Sequence, residues 1–356
     1  MPASSFHLHP LAHAFLRKRL ALAAIGAGAW ARQGALACLL LLFPLRAGMP
    51  APEAQAVATG PQAGLLATLE AGDRRGLDEA FAAGVPVDTR LPDGDTPLLH
   101  AIRARRPDLA AVCLDWCAQP EATGEDRVSA LTLAVVTRQT DLAAALAECG
   151  ASPNYSLPAP LPAAVTAPFE QPWFLTQLKH DPGVTPLMLA CVMGDEALVR
   201  TLLGNGGRPY QRTRRYTTDA LTLACRAGQL RTAQLLLKRD PDDQTGQRLV
   251  VGLGEQRVTL LRGAEVVMTS RVSTGRKTHP TPPGEYLITS KHRDWISTIY
   301  HVPMPFLLRL NTSAIGLHQG SVPGYPASRG CIRLPAGKAA DFFKVARVGD
   351  LVLIRH

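Results

Sequence analysis

No apolar stretch of this 356-residue chain reaches the roughly 20 uninterrupted residues that a membrane-spanning helix needs. The two longest N-terminal runs, Leu20 to Ala31 and Gly34 to Leu45, are broken apart by Arg32 and Gln33. Acidic residues are missing from the first 50 positions. Also missing is a second pair of Cys or His ligands to join Cys113 and Cys117, which sit four apart on a predicted helix, and a structural zinc site needs four. At 46% hydrophobic residues the chain is too apolar for disorder and too polar for a polytopic membrane protein. The net charge of +9 is unevenly spread. Residues 57–245 hold 18 Lys/Arg against 22 Asp/Glu, whereas 246–356 hold 15 against 6. That asymmetry excludes a uniformly basic nucleic-acid binder, so no nucleic-acid partner is expected.

What is present at the N-terminus is an address. Arg17, Lys18 and Arg19 precede an apolar run of about a dozen residues and then small residues, the layout of a secretory signal. Residues 1–56 are read as this export segment, with Ala54-Gln55-Ala56 as the cut. The alternative is an uncleaved anchor over 20–45 that tolerates Arg32. A lipoprotein reading at Cys38 is opposed by the apolar run continuing past it. Either way the remainder is expected to be exported and periplasmic, with no transmembrane span once the signal is cut. Of seven cysteines, removal of Cys38 leaves Cys113, Cys117, Cys149, Cys191, Cys225 and Cys331. An exported chain can form disulfides, yet five of the six fall at helix positions where a thiol packs as a small apolar group.

Length favours two domains. The first is repetitive. Asp93-Gly94-Asp95-Thr96-Pro97-Leu98-Leu99-His100-Ala101 returns, degraded, as Asp126 to Ala134, an offset of 33 from Leu98 to Leu131. A third copy at Gly183 to Cys191 comes 56 further on, and a fourth at Asp219 to Cys225 after another 34. Each is followed by a second apolar helix. These segments resemble ankyrin repeats, with the Thr-Pro-Leu-His-x-Ala signature. The resemblance implies an all-α solenoid over 57–245, opening with a capping copy at 63–92. The surplus before the third copy, 156–181, is rich in proline (158, 160, 162, 168, 172) and reads as an inserted loop. Such a solenoid is a docking surface for a protein partner or a spacer, and the fold names no partner. His100 and His180 read as ordinary turn histidines.

From 246 the periodicity changes to short β-type runs at 248–251, 257–261 and 265–270, and again at 349–354. This part reads as mostly β, making the whole an α + β multidomain chain. Its informative stretch runs from Gly316 to Pro335 and contains His318, Ser328, Arg329, Gly330, Cys331 and Arg333. A Cys with a His within reach is a nucleophile and base, since the thiolate is the attacking species. Arg329 and Arg333 flank Cys331, and their positive field is expected to favour the thiolate. Gly330 leaves the backbone open for N–H groups to meet an oxyanion. The plain alternative is a packed cysteine.

The pattern His-x(n)-Ser-x-Gly-Cys-Ile-Arg-Leu resembles the L,D-transpeptidase (YkuD-type) catalytic domain over about 247–355. Thr281-Pro282-Pro283-Gly284-Glu285-Tyr286, Ser273-Thr274-Gly275 and Met304-Pro305-Phe306 supply further blocks. One position departs: most members have His where this chain has Arg329. The resemblance implies that Cys331 attacks the meso-diaminopimelate carbonyl of a peptidoglycan tetrapeptide stem and expels D-Ala. His318 shuttles the proton, oriented by the carbonyl of Gln319 or Gly320, and the Gly330 and Cys331 N–H groups bind the oxyanion. Ser328, Arg329, Tyr325 and Arg333 are the expected substrate-binding residues; Arg333 suits either a stem carboxylate or a structural salt bridge. His279, His292 and His301 read as loop or strand-edge residues, the last two with an option on the cleft. No metal and no cofactor is called for. The acceptor is left open between an amine (3→3 cross-link), water and a protein lysine, as is a silent domain that only binds peptidoglycan.

Overall fold

The computed structural model describes residues 61–243 and 246–356; the expected export segment 1–56, Cys38 included, lies outside the described residues. The chain divides into two compact units, Met1–Ser152 and Pro153–His356.

In the first unit six helices are described: α1 (Pro61–Ala71), α2 (Arg74–Ala82), α3 (Pro97–Arg103), α4 (Pro107–Asp115), α5 (Ala130–Val136) and α6 (Thr140–Glu148). The repeated signature has a direct physical meaning. Thr96 caps α3 by accepting the Leu99 N–H, and Pro97 occupies a first-turn position where a missing N–H costs nothing. Leu98 and Leu99 are then fully buried. Ser129 caps α5 in the same way, accepting from Thr132. Cys113 and Cys117 do not share a helix. α4 ends at Asp115, because Cys117 turns to φ +64 and its N–H closes onto the Leu114 carbonyl. Cys149 likewise sits at the C-cap of α6.

The second unit opens with α7 (Ala163–Thr166), α8 (Pro172–His180), α9 (Pro186–Met193), α10 (Glu196–Gly204), α11 (Ala220–Arg226) and α12 (Leu230–Leu236). The expected loop at 156–181 is corrected here, since it folds as α7 and α8. Its prolines punctuate helices: Pro162 is the N-cap of α7 and Pro172 starts α8. Val165, Phe174 and Leu178 are fully buried, and Phe169 meets Phe174 edge-on at 4.9 Å. Thr185 and Asp219 cap α9 and α11 as Thr96 caps α3. Cys191 and Cys225 are buried in those matching helices, and burial pushes the Cys225 thiol up to about 12.

The remainder is an eight-stranded sheet: β1 (Gln247–Gly252), β2 (Arg257–Arg262), β3 (Glu265–Arg271), β4 (Gly284–His292), β5 (Leu307–Leu310), β6 (Gly316–Gln319), β7 (Ile332–Leu334) and β8 (Leu351–Arg355). Helix α13 (Ala336–Val345) lies between β7 and β8 in the chain. The order across the sheet is β3-β2-β1-β8-β4-β5-β6-β7. Only β1/β8 and β6/β7 pair in parallel. Leu249, Val251, Leu260, Leu308, Leu310, Leu317, Ile332, Leu334 and Val352 share one core with Phe342 of α13. Strand side chains alternate between faces. With Leu308, Leu317 and Ile332 in the core, Arg309, His318 and Arg333 are left on the opposite face. Register aligns them, because Arg309 stands opposite Gly316 and His318 opposite Arg333.

The last repeat is tied to this sheet. Arg239, just past α12, pairs at 3.1 Å with Asp350, whose side chain has no exposed surface. Gln234 donates to the Gly349 carbonyl and Gln247 to Asp350. Burial pushes the Asp350 carboxyl up, while the Arg347 N–H and the Arg239 charge pull it back.

Candidate active site

Three separated sequence blocks build the turn that carries Cys331. Ser273 exchanges both backbone hydrogen bonds with Arg333 of β7, at 3.0 and 2.9 Å. Its hydroxyl donates to the Tyr325 carbonyl and accepts the Ala327 N–H. The Thr274 carbonyl takes the Ser328 N–H at 2.9 Å, and Arg276 donates to the Ser328 carbonyl at 3.1 Å. Gly275 is obligatory between them, because a Cβ there would collide with the His279 carbonyl and the Thr281 N–H. The Thr281 hydroxyl accepts the Gly275 N–H and donates to the Gly330 carbonyl, both at 2.8 Å.

Within the turn, Ser328 is buried and its hydroxyl is engaged twice: it donates to the Cys331 carbonyl and accepts the Gly330 N–H at 3.1 Å. Ser328 therefore holds the loop from beneath and does not face the cleft as a substrate ligand. The expected oxyanion role of Gly330 is corrected for the same reason, since its N–H points at Ser328. Gly330 supplies the backbone instead, at φ +109, a region that favours glycine. The Cys331 N–H has no hydrogen-bond partner among the described residues and is the donor left for an oxyanion.

His318 is almost fully buried, with Nδ1 2.7 Å from the Gln319 carbonyl. A carbonyl only accepts, so Nδ1 carries the proton and Nε2 is left as the acceptor. Burial lowers the imidazole pKa; the Gln319 bond raises it and the Arg333 charge lowers it further. The Cys331 thiol donates to the Ala314 carbonyl at 3.5 Å, not to His318. Burial pushes the thiol up, against smaller downward pulls from the Gly316 N–H and Arg333. Burial thus opposes the thiolate that the flanking arginines are expected to favour, and of the two only Arg333 lowers the thiol pKa. Parallel pairing of β6 with β7 sets His318 opposite Arg333, and Cys331, two residues before Arg333, falls on the same sheet face by the alternation of strand side chains.

Arg333 lays its alkyl chain over Gly320 and acts electrostatically on both members of this pair. Arg329 points outward, its guanidinium 4.9 Å over the ring of Tyr300. That ring belongs to the segment joining β4 to β5, which also exposes Ile296, Ile299 and Val302. Tyr325 is exposed at the rim. His292 stacks on Trp295 at 4.6 Å and bonds Ser290, and His279 bonds Thr278. His301 is exposed at φ +52. Ser273, Thr281, Ala314 and Gly316 were not picked out by sequence as site residues. Ser273, Thr281 and Gly316 lie in recognised stretches, but only folding shows that the Ser273 and Thr281 hydroxyls hold the Cys331 turn.

Residues 246–354 match the family model described as the L,D-transpeptidase catalytic domain, YkuD, and residues 166–245 match ankyrin repeats in three copies. No curated protein matches the chain. Among solved structures, an L,D-transpeptidase from Mycobacterium smegmatis is 22% identical over 31% of this chain and 59% of its own, at a TM-score of 0.30. L,D-transpeptidase 1 of Mycobacterium tuberculosis is 26% identical over 31% and 61%, at 0.28. An L,D-transpeptidase from Stackebrandtia nassauensis is 22% identical over 38% and 66%, at 0.31. The chain thus spans less than two thirds of each of these proteins. It carries a YkuD-family L,D-transpeptidase catalytic domain preceded by ankyrin repeats.

Proposed function

We propose that this protein is a periplasmic peptidoglycan L,D-transpeptidase that works through a Cys331 thioester. The observation that carries the reading is the His318 tautomer: with Nδ1–H held on Gln319, Nε2 is the free base on the face that bears Cys331. The thiol leaves Ala314 and passes its proton to Nε2 as the sulfur attacks the meso-diaminopimelate carbonyl of a tetrapeptide stem. The Cys331 N–H meets the developing oxyanion. Collapse breaks the C–N bond, and His318 protonates the departing amine of D-Ala. An acceptor amine from a second stem then attacks the thioester and gives its proton to His318, leaving a 3→3 cross-link and a restored thiol. Water as acceptor would give a carboxypeptidase, and a protein lysine would give an anchored protein. The basic catalytic part, with 15 Lys/Arg against 6 Asp/Glu over 246–356, suits a carboxylate-rich polymer. The repeats would dock a protein partner.

The test is mass spectrometry of full-length protein incubated with purified disaccharide-tetrapeptide, beside Cys331→Ala. D-Ala loss with dimer formation in the parent alone supports cross-linking, and D-Ala loss without dimers selects another acceptor. Intact substrate in both would sink the catalytic reading in favour of a domain that only binds peptidoglycan.

A further inference from the structure

One cation on the reacting face has no part in the proton transfer. Arg309 of β5 lies on the same face as His318 and Arg333, since its neighbours Leu308 and Leu310 are in the core. Its cross-strand partner is Gly316, so no side chain stands beside it on β6 at that level. The guanidinium lies 4.6 Å over the Trp295 ring. Together with Trp295, Thr312, Ser313 and Ala314 it lines a cavity of about 210 Å³. Ala314 is the residue whose carbonyl accepts the Cys331 thiol, so cavity and nucleophile share a wall. The Thr312 and Ser313 hydroxyls donate to the Asn311 and Leu310 carbonyls, so the guanidinium is the donor on this wall not committed to the backbone.

Among the described residues no carboxylate comes within ion-pairing distance of Arg309, whereas Arg103, Arg231 and Arg239 are all paired. Its charge is felt nearby: the His292 pKa is lowered by burial and then by Arg309. A half-buried, stacked and unpaired guanidinium in a cavity is a fork aimed at a planar anion.

We propose that this cavity is an anion subsite in which Arg309 binds a stem-peptide carboxylate. The shared wall assigns that carboxylate to the side chain of the acyl-donating residue itself, not to a residue further along the stem. The subsite rests on the transpeptidase reading above and adds to it a selectivity: a free carboxylate is accepted and its carboxamide is discriminated against.

Full-length protein would be given two tetrapeptides that differ only at the third residue, one with a free side-chain carboxylate and one with the carboxamide. The expected kcat/KM ratio favours the carboxylate by about 10- to 100-fold, the range for a buried charge-assisted contact. Arg309→Gln should bring the ratio close to one, and Arg309→Lys should keep part of it. An unchanged ratio in Arg309→Gln, or equal losses on both peptides, would overturn the subsite; the second result would make Arg309 a support for Trp295. Calorimetric Kd values for both peptides on Cys331→Ala, with and without Arg309→Gln, measure the same discrimination without turnover. Failure of the chemistry and failure of the subsite are thereby told apart.

Discussion

Ser328 grips Cys331 through its backbone and leaves the sulfur alone: the hydroxyl donates to the Cys331 carbonyl while accepting the Gly330 N–H. The turn before the nucleophile is closed by a side chain from below, with Thr281 holding the Gly330 carbonyl from the other side.

Ser328→Ala removes both bonds at once. Displacement of a reacting group by about 1 Å can cost on the order of 100-fold. We therefore expect kcat for D-Ala release to fall by about 10- to 100-fold with KM nearly unchanged. A rise in KM at constant kcat would mean that Ser328 contacts substrate after all.

The Cys331 and His318 shifts predict a pH profile. A raised thiol pKa keeps the sulfur protonated as pH climbs, and a lowered imidazole pKa keeps the ring neutral as pH falls. Alkylation of Cys331 by iodoacetamide, followed by mass spectrometry, should therefore rise only above the ordinary thiol range near about 8.5. Arg333→Gln removes a charge that favours the thiolate, so the midpoint should move higher still. A fast, pH-independent reaction at neutral pH would show a preformed thiolate.

The refolding of 156–181 from expected loop to helix pair has a stability consequence. Phe174 is fully buried, so Phe174→Ala should destabilise the protein by about 3–5 kcal/mol in urea unfolding. Pro168→Ala, on an exposed residue of the same segment, should stay within about 0.5 kcal/mol. Equal small effects would return the segment to a loop.

Arg239→Ala leaves the buried Asp350 carboxylate without its cation, at an expected cost of about 3–5 kcal/mol near neutral pH. The sign with pH is fixed. Losing the cation raises the Asp350 pKa further, so the deficit relative to the parent shrinks as pH falls and the carboxyl takes up a proton. Arg239→Ala combined with Asp350→Asn should recover much of the loss. A deficit constant with pH would point to lost packing instead.

The repeats were legible because capping and packing are local: Thr96, Ser129, Thr185 and Asp219 each accept an N–H from their own first turn, three residues on. Cys331 and His318 were legible through a motif. The 156–181 helices were hidden because proline reads alike as a helix start and as a loop. What could not be read was the balance of charge against burial at Cys331, since burial is a property of the folded neighbourhood. The Thr281 bond to the Gly330 carbonyl was equally hidden, because a hydrogen bond reaching across 49 residues leaves no trace in spacing.

The sheet order puts the last strand in an interior position. β8 stands between β1 and β4, yet it follows every other strand in the chain. β8 is therefore the strand that closes the sheet between β1–β3 and β4–β7, which are otherwise bridged through the Ser273–Arg333 and Gly275–Ser328 pairs. Ser273 follows the first half and Cys331 lies in the second, so the bracing of the nucleophile turn draws on both. A chain short of Leu351–Arg355 would leave the facing edges of β1 and β4 unpaired, with the bridges that brace the nucleophile turn as the backbone link left between the two halves.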